Sequence, residues 1–294
     1  MQAFPQVSTV SASRASPSKS TTPKPRAKQM DVVSDRTEAL YFESSGTGTP
    51  ILLLHPIGLD HSIWRPYVDA LSQNHQVVSI DLPGHGRSRA PDSGWDFADL
   101  VASIDRCLSG LALPTHVIGA SFGGMIAQYI AIARPQRIRS LVLCCTASQF
   151  PDNLRSAIAA RGAAALRDGM GAIVPETLER WFTVSAVDGM TALSCKDLLL
   201  ASNPAVWDRC WKTISLLNTT SGLASLDIPA LVLSGENDVA TPPALSQTIA
   251  HAMPNSELVI MPDASHMGCF ETPQPYISAI QSFLQRVDEA RSNT

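Results

Sequence analysis

The chain has 294 residues, of which 45% are hydrophobic and 16% are charged, so it can form a large α/β domain with an insertion, or two small domains, around a substantial core. Its net charge of −4 gives no case for a nucleic-acid or membrane-surface partner, and no apolar run reaches the ~18 residues of a membrane span. Its six cysteines include no C-x-x-C pair and no zinc-ligand spacing. We therefore expect a small-molecule partner, no metal, and thiols that stay reduced inside a cell.

The first 30 residues differ in composition from the rest of the chain. They contain five Lys or Arg residues and no acidic residue, so the remaining chain carries a net charge of −9. Together with many Ser, Thr and Pro residues, this predicts a disordered tail over residues 1–30. Organelle transit peptides have a similar composition, but the prolines and the missing amphipathic stripe argue against one, and no secretory apolar region is present. We expect a cytoplasmic protein and leave organelle import through this tail open.

From residue 31 the chain alternates between predicted strands and helices. Residues 31–49 indicate one or two edge strands, and the apolar run 51–54 predicts a strand buried on both faces. The elements predicted next are a helix over 62–72, a strand over 77–80, a helix over 97–111, a strand before Ser121, a helix to Ala133 and a strand over 138–144. This order indicates a doubly wound, mostly parallel α/β sheet.

Residues 147–222 interrupt the alternation, because they are helical in pattern throughout and contain Trp181, Trp207 and Trp211. Since this segment lies between two predicted strands, we expect a helical cap, inserted after the sixth strand, that covers the site. Ordinary helical packing without a covering role is the alternative. Alternation resumes with strands over 230–233 and 258–261, a helix over 243–252 and a C-terminal helix, so residues 31–146 and 223–294 are predicted to form the core.

The stretch 119–124 reads Gly-Ala-Ser-Phe-Gly-Gly, between a predicted strand and a predicted helix. A G-x-S-x-G sequence at such a turn lifts a serine hydroxyl above the carboxyl edge of a parallel sheet. The serine backbone is strained there, so the residues at 119 and 123 need to lack a side chain, and the helix that follows directs free N–H groups at the same spot. We predict Ser121 as a nucleophile; the alternative is a glycine-rich turn with an inert serine.

A serine nucleophile needs a base to take its proton and a carboxylate to orient that base, in the chain order Ser, acid, His for this type of sheet. Asp238 and His266 each follow a predicted strand, where α/β sheets place their sites. We predict His266 as the base and Asp238 as the acid, with Glu236 as the rival acid. Of the other six histidines, His61 opens a helix, His85 lies too early in the chain, and His55 belongs to the loop discussed next. The remaining three lack a strand-end context: His75, His116 and His251.

An oxyanion hole requires two N–H donors directed at one oxygen. The residue after the nucleophile, Phe122, should supply one of them. The other should come from the loop over 55–58, which reads His-Pro-Ile-Gly; because Pro56 has no N–H, Ile57 is the best candidate. A second glycine-rich turn over 81–88 precedes no helix and lacks a Walker-type lysine, so we predict structural support there and no phosphate site.

Assembled in this way, residues 31–290 resemble the α/β-hydrolase-fold enzymes. Four segments match the pattern of that family in order, namely the loop at His55, the turn over 84–88, the Ser121 motif, and the strand ends at Asp238 and His266. Two stretches are similar to 3-oxoadipate enol-lactone hydrolases: His-Pro-Ile-Gly-Leu-Asp over 55–60 with nearby Trp64, and Gly169-Met170 through Leu-Glu-Arg-Trp-Phe-Thr over 178–183.

The resemblance implies hydrolysis of a small lactone or ester that bears a carboxylate, without a cofactor. It also implies that the cap lines the substrate pocket, where we expect Trp181 and Arg180 to bind substrate. The guanidinium fork of Arg180 suits a carboxylate, although a solvated helix arginine is the alternative. The rival functions are a perhydrolase, lyase or cofactor-free oxygenase on the same scaffold, or a ligand-binding protein that retains the triad. Assembly into a homo-oligomer stays open.

Overall fold

The computed structural model describes residues 40–91, 94–112 and 114–292, so the predicted tail over 1–30 lies outside the described residues. Its strands form one seven-stranded sheet in the order β1-β3-β2-β4-β5-β6-β7. The strands are β1 Phe42–Ser45, β2 Pro50–Leu54, β3 Gln76–Ile80, β4 Thr115–Ala120, β5 Ile138–Cys144, β6 Ala230–Gly235 and β7 Ser256–Met261.

The sheet is parallel except at one edge. Strand β1 runs antiparallel to β3, whereas the other five pairings are parallel. Residues 51–54 of β2 are fully buried, as expected for a strand covered on both faces. The doubly wound, mostly parallel sheet predicted from the sequence is therefore confirmed, and the carboxyl ends of the parallel strands meet at one edge.

Helices cover both faces of the sheet and fill the connections between its strands. They are α1 Arg65–Leu71, α2 Phe97–Leu108, α3 Phe122–Ala133, α4 Asp152–Asp168, α5 Met170–Trp181, α6 Met190–Ala201, α7 Pro204–Ser215, α8 Thr220–Leu223, α9 Pro243–Ala252, α10 Gly268–Glu271 and α11 Pro273–Ser292. The helix predicted over 62–72 begins with a 3₁₀ turn, His61–Trp64, because the Asp60 side chain accepts the Ser62 N–H and caps that turn. None of the described helices is both long and apolar enough to cross a bilayer.

Five helices, α4 to α8, lie between β5 and β6 and are called the insert below. The prediction placed this segment after the sixth strand; among the described residues it follows the fifth. The sequence allowed one or two edge strands within residues 31–49; β1 lies in the described part, 40–49, and residues 31–39 lie outside the described residues.

The C-terminal helix α11 is attached to the sheet by a cluster of polar groups at the amino end of β4. Asp288 accepts from Arg139 Nε at 2.6 Å and pairs with His116 Nε2 at 3.2 Å and His75 Nε2 at 3.1 Å. Burial lowers the pKa of His116 to about 4, so that imidazole is neutral near pH 7. These histidines therefore lie at the sheet edge opposite the carboxyl ends of the strands.

Candidate active site

Ser121 lies between β4 and α3 with φ of 51° and ψ of −117°, a strained conformation for a residue that has a Cβ. Hydrogen bonds hold the peptide in place: the Ser121 N–H donates to Cys144 O at 2.9 Å, and the Thr146 hydroxyl donates to Ser121 O at 2.7 Å. Both partners belong to β5 or the residues that follow it, so the neighbouring strand holds the backbone in its strained form.

The glycines on either side of Ser121 permit two close backbone approaches. A Cβ at Gly119 would lie 2.5 Å from Gly123 O, and a Cβ at Gly123 would lie 2.2 Å from Leu54 O. Both distances are shorter than any side chain tolerates, so α3 can follow β4 this closely only when both positions lack a side chain. The predicted steric reason for the G-x-S-x-G sequence is thus visible in the packing of α3 on β4 and β2.

His266 and Asp238 reach Ser121 from the two loops that follow β7 and β6. His266 Nε2 lies 3.0 Å from Ser121 Oγ, and His266 Nδ1 lies 2.9 Å from Asp238 Oδ2. All three residues are buried, with exposed fractions of 8% for Ser121 and 3% for the other two. The three predicted catalytic side chains, far apart in sequence, therefore form one continuous hydrogen-bonded row.

The Asp238 carboxylate has four donors around it. Oδ1 accepts the Ala240 and Thr241 N–H groups at 2.8 Å each, and Oδ2 accepts the Thr241 hydroxyl at 2.8 Å as well as His266. Burial alone would raise the pKa of Asp238, but the charge of His266 and the bonds from His266 and Thr241 outweigh burial and hold the pKa below its ordinary value. Asp238 is therefore ionised at neutral pH.

Thr241 is a member of the site that the sequence analysis missed. Its hydroxyl lies 2.8 Å from Asp238 Oδ2 and 3.2 Å from His266 Nδ1, so it helps to fix the rotamer of the carboxylate. The spacing of an aspartate followed by a hydroxyl residue three positions later is typical of local side-chain capping, and this signal was present in the sequence.

Glu236, the rival acid, has a different partner. It is exposed and accepts the Asp263 N–H at 3.1 Å, whereas Asp238 points to His266. His55 is also occupied elsewhere: its Nδ1 lies 2.7 Å from Pro56 O, and its Nε2 accepts the Leu82 N–H at 2.9 Å. It thereby joins the 55–58 loop to the turn over 81–88.

The two residues predicted to form the oxyanion hole lie where α3 and the 55–58 loop approach Ser121. Ile57 is buried and lines the same cavity as Ser121. Phe122 is the first residue of α3, where a helical N–H has no acceptor within the helix. Among the hydrogen bonds of the described residues, neither the Ile57 nor the Phe122 N–H is used, so both are free to bind an oxygen.

A cavity of about 160 Å³ adjoins Ser121 and His266 and is lined from both the core and the insert. Trp181 and Arg180, predicted to bind substrate, both line it. The Trp181 ring lies 6.3 Å from the His266 ring, and Trp181 O accepts the Met267 N–H at 2.9 Å. Core and insert residues that line the cavity include Ile57, Met125, Thr241, Arg161, Glu176 and Trp211.

Two groups of described side chains have the spacing of metal ligands, and neither contributes to this cavity. The first consists of His75, His116 and Asp288, and the second of Asp60, His61 and Asp81. In the second group, Asp81 already accepts the His61 and Arg87 N–H groups at 2.8 Å each; in the first, Arg139 neutralises Asp288. Among the described residues, both groups therefore lie away from the cavity at Ser121.

Known proteins of similar sequence and fold include several hydrolases. The (E)-2-((N-methylformamido)methylene)succinate hydrolase of Acinetobacter baylyi is 26% identical over 262 residues, which cover 88% of this chain and 98% of that protein. The enol-lactonase of Burkholderia xenovorans LB400 superposes with a TM-score of 0.78 at 26% identity, covering 84% of this chain and 96% of the enzyme.

A third relative was solved with a small acid bound. The thermophilic esterase of Thermogutta terrifontis, in its malate-bound structure, has a TM-score of 0.77 and 26% identity, covering 84% of this chain and 93% of the esterase. In addition, a family model for the alpha/beta hydrolase fold matches residues 49–273. This match spans most of the chain and agrees with the parallel sheet and the turn at Ser121, so the protein belongs to the α/β-hydrolase-fold family.

Proposed function

We propose that this protein is a serine hydrolase that cleaves a small carboxylic ester or lactone through an acyl-enzyme. The observation that carries the proposal is the row from Asp238 through His266 to Ser121, with separations of 2.9 and 3.0 Å. A serine placed in this way loses its proton to the imidazole as it attacks a carbonyl, and the carboxylate stabilises the imidazolium that forms.

The first half-reaction forms a bond between Ser121 Oγ and the substrate carbonyl carbon, while the hydroxyl proton moves to His266 Nε2. The negative charge that develops on the carbonyl oxygen is held by the N–H groups of Ile57 and Phe122. Collapse of this intermediate breaks the bond to the leaving oxygen, which takes the proton from His266. Asp238 stays ionised throughout, in keeping with its lowered pKa.

The second half-reaction reverses these roles. His266 takes a proton from water, the hydroxide attacks the acyl carbon, and the bond to Ser121 Oγ breaks as His266 returns the proton to it. With a lactone, the leaving hydroxyl stays attached to the acyl group, so one open-chain hydroxy acid or its keto form leaves the cavity.

The size of the cavity supports a small acyl group. Its volume of about 160 Å³ is close to the ~150 Å³ that accommodates one benzene-sized molecule. Trp181 provides an apolar wall beside His266, and the Arg180 fork is suited to a carboxylate. The relatives named for a succinate derivative and an enol-lactone, and the esterase with bound malate, support a small substrate that bears a carboxylate.

Labelling and substrate profiling test this proposal. A fluorophosphonate probe should label the natural protein at Ser121, as located by mass spectrometry, and Ser121→Ala should abolish both the label and hydrolysis of short 4-nitrophenyl esters. Ser148→Ala is a matched control, because Ser148 is buried and bonds Thr220 at 2.7 Å outside the cavity. An unlabelled, inactive protein would favour a ligand-binding role, and undiminished turnover in Ser121→Ala would overturn the mechanism.

A further inference from the structure

We propose that Arg161 of α4 is a specificity-determining residue, which together with Arg180 of α5 receives an anionic carboxylate end of the substrate. This inference rests on the proposed hydrolase function, because it concerns the cavity that contains Ser121. Both arginines line that cavity, and they approach it from different helices of the insert. Arg161 did not stand out in the sequence.

The charges on the insert side of the cavity are unbalanced. Arg161 and Arg180 are its two permanent cations, and Glu176 is the one carboxylate among the lining residues. Within the described ranges, no carboxylate lies within 4.0 Å of either guanidinium, since neither arginine takes part in an ion pair. Burial, followed by the charge of Arg180, lowers the pKa of Arg161, and Glu176 opposes this shift. Two neighbouring cations with one nearby carboxylate leave a net positive charge that a single substrate carboxylate would neutralise.

The position of Arg161 is fixed by the packing of α4 against α7. Its guanidinium carbon lies 5.1 Å from the centre of the Trp211 ring, a distance suited to a cation–π contact. The adjacent residue, Gly162, packs directly against α7, because a Cβ there would be 2.4 Å from the Asp208 Cα. Trp211 lies one turn beyond Asp208 on α7, so this contact sets the register between Arg161 and the ring that supports it.

Two tryptophans of α7 also line the cavity, and their indole N–H groups are enclosed by protein. The Nε1–H groups of Trp207 and Trp211 are buried and have no acceptor in the part of the chain that the structure describes, and both residues line the cavity. These N–H groups have almost no accessible surface, so the two rings contribute apolar wall to the cavity, and the positive charge on the insert side comes from Arg161 and Arg180.

The alternative is that Arg161, which is exposed, is a solvated arginine that packs on Trp211 and does not bind substrate. The two explanations differ in the substrates that they affect. A merely packing residue influences every substrate alike, whereas a carboxylate-binding residue influences only the charged one, and this influence weakens with ionic strength.

The test compares two substrates of equal length, the 4-nitrophenyl monoester of succinic acid and the 4-nitrophenyl methyl diester. We expect Arg161→Gln to lower kcat/KM for the monoester roughly 10- to 100-fold, as for the loss of a charge-assisted contact, and to change kcat/KM for the diester less than about threefold. Added NaCl should reduce the preference of the natural protein for the monoester but not that of the variant. Arg161→Lys keeps the charge without the fork and should fall in between.

Arg167→Gln is the matched control, since Arg167 lies on the same helix and pairs with Asp168 at 3.3 Å away from the cavity; it should leave both substrates unaffected. Melting temperatures verify that each variant folds. A natural protein that hydrolyses both esters without preference, or an Arg161→Gln variant that loses both activities equally, would overturn the inference while leaving the hydrolase function intact. A natural protein that hydrolyses neither ester refutes the proposed function itself.

Discussion

The two sides of the cavity are built in different ways. On the sheet side, Ser121, Asp238 and His266 lie at strand ends, are buried and bond one another at 2.9 to 3.0 Å. On the insert side, Arg161 and Arg180 extend from helix surfaces and have no carboxylate partner within 4.0 Å in the described chain. Strand ends and their turns position the side chains of the sheet side, whereas the packing of α4 on α7 positions Arg161 on the insert side.

This difference fits two separate roles in the proposed function, reaction on the sheet side and substrate recognition on the insert side. Groups that react need fixed separations, and strands with strained turns provide them. Groups that recognise substrate need only the right charge and shape, which helices on one sheet edge can vary without disturbing the chemistry. Changes on the sheet side should therefore abolish activity or unfold the protein, whereas changes on the insert side should alter substrate preference.

The largest expected effect separates Asp238 from its rival. Asp238→Asn should lower kcat for a short ester by about 10⁴-fold, because an amide favours the wrong imidazole tautomer. Glu236→Gln should leave kcat within about twofold, since Glu236 is exposed and, within the described ranges, accepts the Asp263 N–H alone. Steady-state kinetics on both variants test this pair. A larger loss in Glu236→Gln than in Asp238→Asn would reverse the assignment.

Much of the sheet side was predictable because its constraints are local. Gly119 and Gly123 are required by backbone contacts at 2.5 and 2.2 Å, so the sequence of the turn records its geometry. Asp238 and His266 follow apolar runs that could only be strands, and parallel strands bring their carboxyl ends to one edge. Because the acid and then the histidine must follow the serine along the chain, few residues could be the partners of Ser121.

The insert side was less predictable because helix packing decides it. Arg161 lines the cavity because α4 packs closely on α7 at Gly162, where a Cβ would lie 2.4 Å from the Asp208 Cα. The local sequence around Gly162 does not specify that α7 is the helix it packs against. The predicted number of strands before the insert depends partly on residues 31–39, which lie outside the described residues. Residues at a sheet edge have weak patterns, and within the described residues 40–49 the edge strand is β1.

A pair of glycine substitutions tests whether the sheet side is the rigid one. Gly123→Ala should lower the free energy of unfolding by more than about 3 kcal/mol, because its Cβ would lie 2.2 Å from Leu54 O. Gly171→Ala in α5 is the matched control: no atom lies within 4 Å of its Cβ position, so better helix propensity should stabilise the protein by up to about 1 kcal/mol. Urea denaturation measures both, and equal effects would contradict the comparison.

The buried histidine of the 55–58 loop predicts how stability depends on pH. Burial lowers the pKa of His55 from 6.5 to about 4, and burial, with the charge of His55, lowers that of His85 to about 3. The unfolded chain thus binds protons near pH 6.5 that the folded protein does not. The free energy of unfolding should fall as the pH drops from 6.5 to about 4, by on the order of 3 kcal/mol for His55.

His55→Gln should flatten this part of the stability curve, because the variant has no imidazole to protonate at that position. Chemical denaturation at half-unit pH steps, with His251→Gln at an exposed histidine of α9 as the control, measures the slopes. Asp81 partly opposes the lowering of the His55 pKa. Because His85 and the carboxylates still titrate in the variant, we expect some dependence of stability on pH to remain. Identical slopes in His55→Gln and the natural protein would contradict the assignment.

The smallest expected effect concerns Glu271, which joins the two sides. Its carboxylate accepts the Ser265 hydroxyl at 2.7 Å next to His266 and the Thr183 hydroxyl at 2.8 Å beyond the end of α5. Glu271→Gln replaces one accepting oxygen with a donor, so we expect a loss of about 1 to 2 kcal/mol in stability and a several-fold lower kcat/KM. Glu257→Gln, which removes a surface pair with Arg286, should cost less than about 1 kcal/mol.

Thr183→Val and Ser265→Ala separate the two hydrogen bonds of Glu271, one to the insert and one to the loop that carries His266. If Glu271 mainly holds the histidine loop, Ser265→Ala should reproduce the kinetic loss of Glu271→Gln and Thr183→Val should not. If it mainly holds the insert, the reverse pattern should appear, with the loss confined to KM. Double-mutant cycles with Glu271→Gln measure both coupling energies. Two couplings indistinguishable from zero would mean that Glu271 does not hold core and insert together, and that His266 is positioned without its help.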